Sequence, residues 1–181
     1  MEDIRIHDKT FTTFIDRQEI QQRVQDIAAQ INHDYLNEKV LLLGILNGCF
    51  MFAADLFRCL TVECEISFIK LSSYQGMSSG GNVQTAIGLK ESLKDRHVII
   101  LEDIIDTGKT LYSFLPELHA HQPASVKIAS LVIKPDALKY PIHVDYSGFT
   151  IENKFILGYG LDYDGLGRNL PDIYILKDPN S

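Results

Sequence analysis

The sequence predicts an α/β fold, a central parallel β-sheet flanked by helices with a small strand-rich hood, on three observations. Apolar runs of strand length alternate with helix-length segments over about 16–135, whereas after residue 140 short extended pieces follow one another across polar turns. The length of 181 residues, with 45% hydrophobic content, is that of a single domain. A fold of this size buries roughly 70% of the surface its unfolded chain exposes, so a true core needs no disulfide staples.

Each element has its own justification. Ile20, Val24, Ile27, Ala28, Ile31 and Tyr35 recur at helical spacing, so residues 16–36 read as an amphipathic helix. Asp16, followed three residues on by Glu19, supplies a capping box at its start. Residues 40–46 form a continuous apolar run suited to a strand covered on both faces, and 50–60 are long enough for a helix. A hydropathy window over 40–54 would suggest a membrane span, which needs about 20 apolar residues. This run breaks at Asn47-Gly48 and closes at Asp55, as a buried strand running into a buried helix would. Residues 66–71 and 97–101 are further strands; a turn and a helix over about 110–121 follow the second, with Pro116 predicting a kink. Residues 126–133 complete the alternation as another strand. Extended pieces at 143–151, 154–159 and 173–176 have no helix between them, and the hood is expected from about 1–15 and 140–181.

Composition narrows the function. Seventeen basic against 24 acidic residues leave a net charge of −7 with no cluster of Lys and Arg, which excludes a sequence-independent nucleic-acid binder. The segment MEDIRIHDKT has no basic region followed by an apolar stretch, so a cytoplasmic location without membrane attachment is expected. Cys49, Cys59 and Cys64 are too few and too unevenly placed for a disulfide framework or a CxxC metal site, and read as buried thiols. Cys49 has no histidine partner in any motif, and His119 and His121 read as an exposed helix end.

Ligands of open α/β sheets bind beyond the carboxyl ends of the strands. After 97–101 comes Glu102-Asp103-Ile104-Ile105-Asp106-Thr107-Gly108-Lys109-Thr110. A turn entering a helix presents free N–H groups at the positive end of the helix dipole, and small side chains let a phosphate approach them. Neighbouring carboxylates can hold sugar hydroxyls or a hydrated magnesium ion. It is not a Walker loop, because Asp103 stands where GxxxxGK[ST] needs glycine. On these grounds alone the stretch is either a phosphate-and-sugar site or an acidic turn that caps a helix.

The string LEDIIDTGKTL resembles the phosphoribosyl pyrophosphate motif of type I phosphoribosyltransferases, in the form carried by their hypoxanthine-guanine branch. Leu46-Asn47-Gly48 resembles that family's pyrophosphate loop, and Lys70-Leu71-Ser72-Ser73-Tyr74 the start of its mobile catalytic loop, here continued by the Gly- and Ser-rich residues 75–82. Leu131-Val132-Ile133-Lys134 resembles its purine-reading strand, and residues 154–163 with Arg168 its base-stacking and metal segment. The matches keep the family's order over about 38–176.

The resemblance implies the type I phosphoribosyltransferase fold and transfer of a phosphoribosyl group from phosphoribosyl pyrophosphate to N9 of hypoxanthine or guanine, giving IMP or GMP. By the family's pattern Asp106 is the proton partner at purine N7, while Ser73 and Tyr74 make the closing contact. Thr107, Gly108, Lys109 and Thr110 hold the 5′-phosphate; Glu102 and Asp103 bind the ribose hydroxyls; Leu46, Asn47, Gly48 and Arg168 receive the pyrophosphate. Lys134 contacts O6, Phe155 stacks on the base, Ile156 offers backbone contacts, and Asp162 closes the purine site. Glu102, Asp103 and Asp162 are the implied magnesium ligands, and a homodimer or homotetramer is the implied assembly. Asn47 stands where the family often carries Lys or Arg, which leaves backbone amides as donors but removes a charge. The alternatives are a non-catalytic regulator that senses phosphoribosyl pyrophosphate on the same fold, and the same chemistry with xanthine preference. Retention of Asp106, Lys134 and Ser73-Tyr74 in an acidic chain favours the enzyme.

Overall fold

The strands form two sheets. The computed structural model describes residues 3–73, 83–87 and 92–177, with the backbone alone at 72–73 and 83–87. In chain order they form β1 (Ile4–Ile6), β2 (Lys9–Ile15), α1 (Arg17–Asp34), β3 (Lys39–Leu46), α2 (Phe50–Cys59), β4 (Glu63–Ser73) and β5 (Val83–Ile87). Then come β6 (His97–Ile105), α3 (Lys109–Ala120), β7 (Ser125–Ile133), a 3-10 turn at Pro135–Ala137, β8 (Tyr146–Thr150), β9 (Ile156–Leu157) and β10 (Ile173–Leu176). The main sheet has the order β5-β4-β3-β6-β7-β8, parallel throughout except for β5 at its edge. The small sheet, β1-β2-β10-β9, is antiparallel.

The continuous apolar run of β3 is explained by cover on both faces. Strand alternation sends Val40 and Leu42 toward α1 and α2, and Leu41, Leu43 and Ile45 toward α3. Full burial of each such side chain contributes about 1.5–3 kcal/mol. Asp16 Oδ1 accepts from the N–H groups of Gln18 (2.8 Å) and Glu19 (2.9 Å), and the Glu19 carboxylate accepts from Asp16 N–H (3.3 Å), completing the capping box. Phe11, Leu157 and Tyr174 are the buried core of the small sheet. Residues 40–54 are β3, a turn and the first half of α2, and among the described residues no helix is long and apolar enough to cross a membrane.

Three elements depart from expectation. Strand β6 continues past Leu101, with Glu102, Ile104 and Ile105 in register with Ser130, Val132 and Ile133. Charge ended the apolar run, but ladder hydrogen bonds use the backbone and ignore it. The piece expected at 143–151 within the hood is β8, and it joins the main sheet, pairing in parallel with β7 at Ala129↔Tyr146 and Val132↔Phe149. A parallel crossover needs length rather than a helix, and Asp145 accepts from Ile128 N–H (2.8 Å) to set its start. Strand β5 lies in a stretch with no apolar signal strong enough to announce it.

Candidate functional site

Adjacent strands β3, β6 and β7 bring their carboxyl ends side by side, and the candidate residues gather there. Between β6 and α3, Gly108 adopts φ 77° and caps the helix, while Lys109 N–H reaches Thr107 Oγ1 at 3.3 Å. A Cβ at Gly108 would sit 3.0 Å from Ile142 and 3.3 Å from the Tyr140 carbonyl. The Thr107 carbonyl accepts from the N–H groups of Lys139 (3.0 Å) and Tyr140 (3.2 Å), so the chain after β7 straps the turn in place. The result is a concavity of about 110 Å³ lined by Glu102 and residues 104–111. Open amide donors at a helix start suit a phosphate there.

Lys134, at the end of β7, donates its backbone N–H to Ile105 O (3.0 Å) and turns its side chain inward, leaving it 7% exposed. Its Nζ lies 3.5 Å from Asp106 Oδ2. A buried donor and a half-exposed acceptor therefore stand together at the rim of the concavity.

On the other face of β6 three turns meet. The Leu46–Asn47 peptide is cis, Asn47 is exposed, and a Cβ at Gly48 would overlap the Asp103 carboxylate. A Cβ at Gly160, whose φ is 99°, would in turn overlap the Gly48 carbonyl. Burial pushes the Asp103 carboxyl up to about 6, although backbone N–H groups and the Arg168 guanidinium pull it down. Burial also drives Glu102 well above the usual carboxylate range, with the Asp103 charge adding to it. Cys49, buried behind this turn, is held as a neutral thiol by burial and by the same two acids. Cys59 and Cys64 are likewise unpaired, though only partly buried.

Arg168 is occupied here: Nη2 lies 2.6 Å from Asp162 Oδ1 and Nη1 donates to Gly160 O at 2.7 Å. The second Asp162 oxygen accepts from Gly165 N–H at 2.8 Å. Among the described residues no three of His, Cys, Asp and Glu converge on a point that could hold a metal ion. The expected set of Glu102, Asp103 and Asp162 is thus not assembled as a protein-only cage. Glu102 is among the residues lining the concavity, and the Asp103 carboxylate lies against Gly48.

Phe155 stands 41% exposed just before β9, in which Ile156 is buried. Tyr159 donates its hydroxyl to Asp55 (2.7 Å), tying this segment to α2. The structure thus pairs Lys134 with Asp106 beside the 102–110 turn and brings Gly48, Asp103, Gly160, Asp162 and Arg168 together, while Phe155 packs against Phe11 and Tyr163. Of Ser73 only the backbone, ending β4, is described; Tyr74 and residues 75–82 lie outside the described residues. Sequence reasoning missed Gly160 and the strap at 138–142. The first sits in a glycine-rich string that could have flagged a close approach, whereas the second acts mainly through backbone amides and leaves no side-chain signal.

A family model described as the phosphoribosyl transferase domain matches residues 12–164. The chain is 40% identical over 161 residues to a hypoxanthine-guanine-xanthine phosphoribosyltransferase of Tritrichomonas foetus, covering 88% of each. It is 39% identical over 165 residues to a hypoxanthine-guanine phosphoribosyltransferase of Streptococcus pneumoniae, covering 91% of this chain and 92% of that one. Its fold is similar to the crystal structure of a Staphylococcus aureus hypoxanthine phosphoribosyltransferase, with a TM-score of 0.87 at 37% identity over 92% of this chain and 91% of the other.

Proposed function

The chain belongs to the phosphoribosyl transferase family, and from that premise we propose how its site works as a purine-salvage enzyme of the hypoxanthine-guanine branch. The reaction moves the 5-phosphoribosyl group of phosphoribosyl pyrophosphate to N9 of hypoxanthine or guanine. The bond from C1′ to the pyrophosphate oxygen breaks, the bond from C1′ to N9 forms, and the purine gives up a proton. IMP or GMP and pyrophosphate result.

The observation that carries this reading is the Lys134–Asp106 pair, 3.5 Å apart beside the phosphate turn. A 6-oxopurine presents an acceptor at O6 and a proton-exchanging nitrogen at N7, and the pair offers a donor and a carboxylate to match. Lysine has donors alone, so the amino group of adenine finds no partner at Lys134. Asp106 takes up proton density as N9 attacks, a contribution of about 10²–10⁴-fold for a placed acid or base. The turn at Thr107, Gly108, Lys109 and Thr110 anchors the 5′-phosphate, and Glu102 and Asp103 hold the ribose. Phe155 stacks on the base beside the backbone of Ile156.

C1′ becomes cation-like as pyrophosphate leaves, so the site gains most by stabilising the departing charge. The amides of Leu46, Asn47 and Gly48 lie at that end, with Arg168 after release from Asp162. Magnesium takes one or two carboxylates together with substrate oxygens and waters, which suits the neighbouring carboxylates of Asp103 and Asp162. Asp103 and Asp162 would hold it there, with Glu102 on the ribose side, and it would neutralise the leaving diphosphate. A homodimer or homotetramer belongs to the same reading, and three unpaired thiols suit a cytoplasmic enzyme in a reducing compartment.

The test is pyrophosphate release from phosphoribosyl pyrophosphate and magnesium with hypoxanthine, guanine, xanthine or adenine. Turnover with the first two and none with adenine is expected. Xanthine is a necessary arm because the Tritrichomonas foetus relative is named for it. Equal kcat/KM for adenine and hypoxanthine would overturn the role of Lys134.

A further inference from the structure

We propose that Lys9 and Tyr163 are positioning residues for the purine, fixing the plane of the Phe155 ring on which the base stacks. The inference rests on the reading of Phe155 given above and extends it to residues that reading does not use.

Phe155 is 41% exposed and precedes a strand of two residues, so its backbone alone holds the ring loosely. Three groups close around it. The Tyr163 ring meets it edge-on, at 5.6 Å between centroids and 80° between planes. Phe11 of β2 lies at 6.1 Å and 43°. Lys9 Nζ stands 5.6 Å from the Phe155 centroid, within the range where a ring face attracts a cation.

Tyr163 is itself held by the turn between β1 and β2. Its hydroxyl donates to Asp8 Oδ1 at 2.8 Å, the His7 ring approaches edge-on at 5.4 Å, and Lys9 Nζ sits 4.5 Å from its centroid. His7 has φ 52°, which turns the chain sharply enough to set these three side chains against one tyrosine. Lys9 thus touches both rings at once and links the amino-terminal hairpin to the stacking platform. The exposed remainder of the Phe155 ring is what stays open to a base.

Tyr163→Ala, Tyr163→Phe and Lys9→Met are assayed in the full chain, with KM for hypoxanthine, KM for phosphoribosyl pyrophosphate and kcat measured separately. Tyr163→Ala raises KM for hypoxanthine about tenfold, a loss in the range of one aromatic contact, and leaves the other KM within about twofold. Tyr163→Phe restores most of that loss, because the ring edge remains. Lys9→Met gives a rise of about threefold in the same parameter, since it keeps the apolar stem and removes the charge. Both KM values rising together, or Tyr163→Phe behaving as Tyr163→Ala does, would overturn the proposal and assign Tyr163 to Asp162 or to hood stability. If Tyr163→Ala does not fold, Lys9→Met decides: an unchanged KM for hypoxanthine sinks the proposal. Failure of the unaltered protein to use hypoxanthine would refute the proposed function itself, an outcome distinct from all of these.

Discussion

Replacing Gly48 by alanine puts the packing of three turns to the test. The added Cβ would fall within the Asp103 carboxylate, and retreat is blocked because the Gly48 carbonyl already lies against Gly160. Either Asp103 leaves the backbone N–H groups that lower its pKa, or the turn at 46–48, proposed above to receive the pyrophosphate, shifts by about an ångström. Overpacking of this kind costs about 1–3 kcal/mol, which for a chain of this size lowers Tm by roughly 2–12 °C. Displacing a binding turn by an ångström costs on the order of 10² in rate, so kcat/KM for phosphoribosyl pyrophosphate should fall about 100-fold while most of the stability remains. Gly165→Ala is the control: its φ is 85°, yet a Cβ there meets nothing within 4 Å. That variant should lose about 1 kcal/mol to backbone strain and keep kcat/KM within about threefold. The assays are steady-state kinetics and thermal melting on the same preparations. A Gly48→Ala enzyme within threefold of wild type would show that the turn has slack and that Asp103 does not border the diphosphate.

Asp106→Asn should bind both substrates and lose about 10²-fold or more in kcat, because an amide cannot accept the proton; an unchanged kcat would reduce Asp106 to a cap on the phosphate turn. Lys134→Gln should narrow the preference for hypoxanthine over adenine by losing oxopurine turnover, measured as the ratio of the two kcat/KM values; an unaltered ratio would remove Lys134 from base reading. Activity should vanish in excess chelator and return with magnesium, zinc substituting poorly; full turnover in chelator would refute the charge neutralisation. Asp103 binds its proton more tightly folded than unfolded, since its pKa rises from 3.8 to about 6. Its contribution to stability therefore falls as pH is raised from about 4 to about 6, by at most about 1.4 kcal/mol per unit. Urea unfolding should accordingly show Asp103→Asn gaining on wild type across that window and holding its gain above it; a constant difference would contradict the assigned shift.

Local rules written in side chains were legible at once. The Asp16 and Glu19 capping box, the two-sided burial of β3 and the glycine turn before α3 each follow from residue types at fixed spacing. The acids at 102 and 103 were legible as a site, though no three-carboxylate cage is assembled there among the described residues. Relations made by backbone left no mark: the amides of Lys139 and Tyr140 on Thr107, and the parallel pairing of β8. The grip of Asp8 and Lys9 on Tyr163 spans the length of the chain between residues that are unremarkable singly, and a lone lysine or tyrosine carries no signal of its distant neighbour.

The pairing of β2 with β10, where Phe11 lies opposite Leu176 and Ile15 opposite Ile173, has a consequence in time. Ribosomes release chain from the amino end at about 5–20 residues per second, so β2 emerges tens of seconds at most before its partner. During that interval β3, β6, β7 and α3 can already meet and build the phosphate turn with Lys134 above it. Phe155, Tyr163 and the strand that holds them against β2 are still absent. On the reading of Phe155 proposed above, the stacking surface is therefore completed last, when β10 closes the small sheet over the hairpin made first.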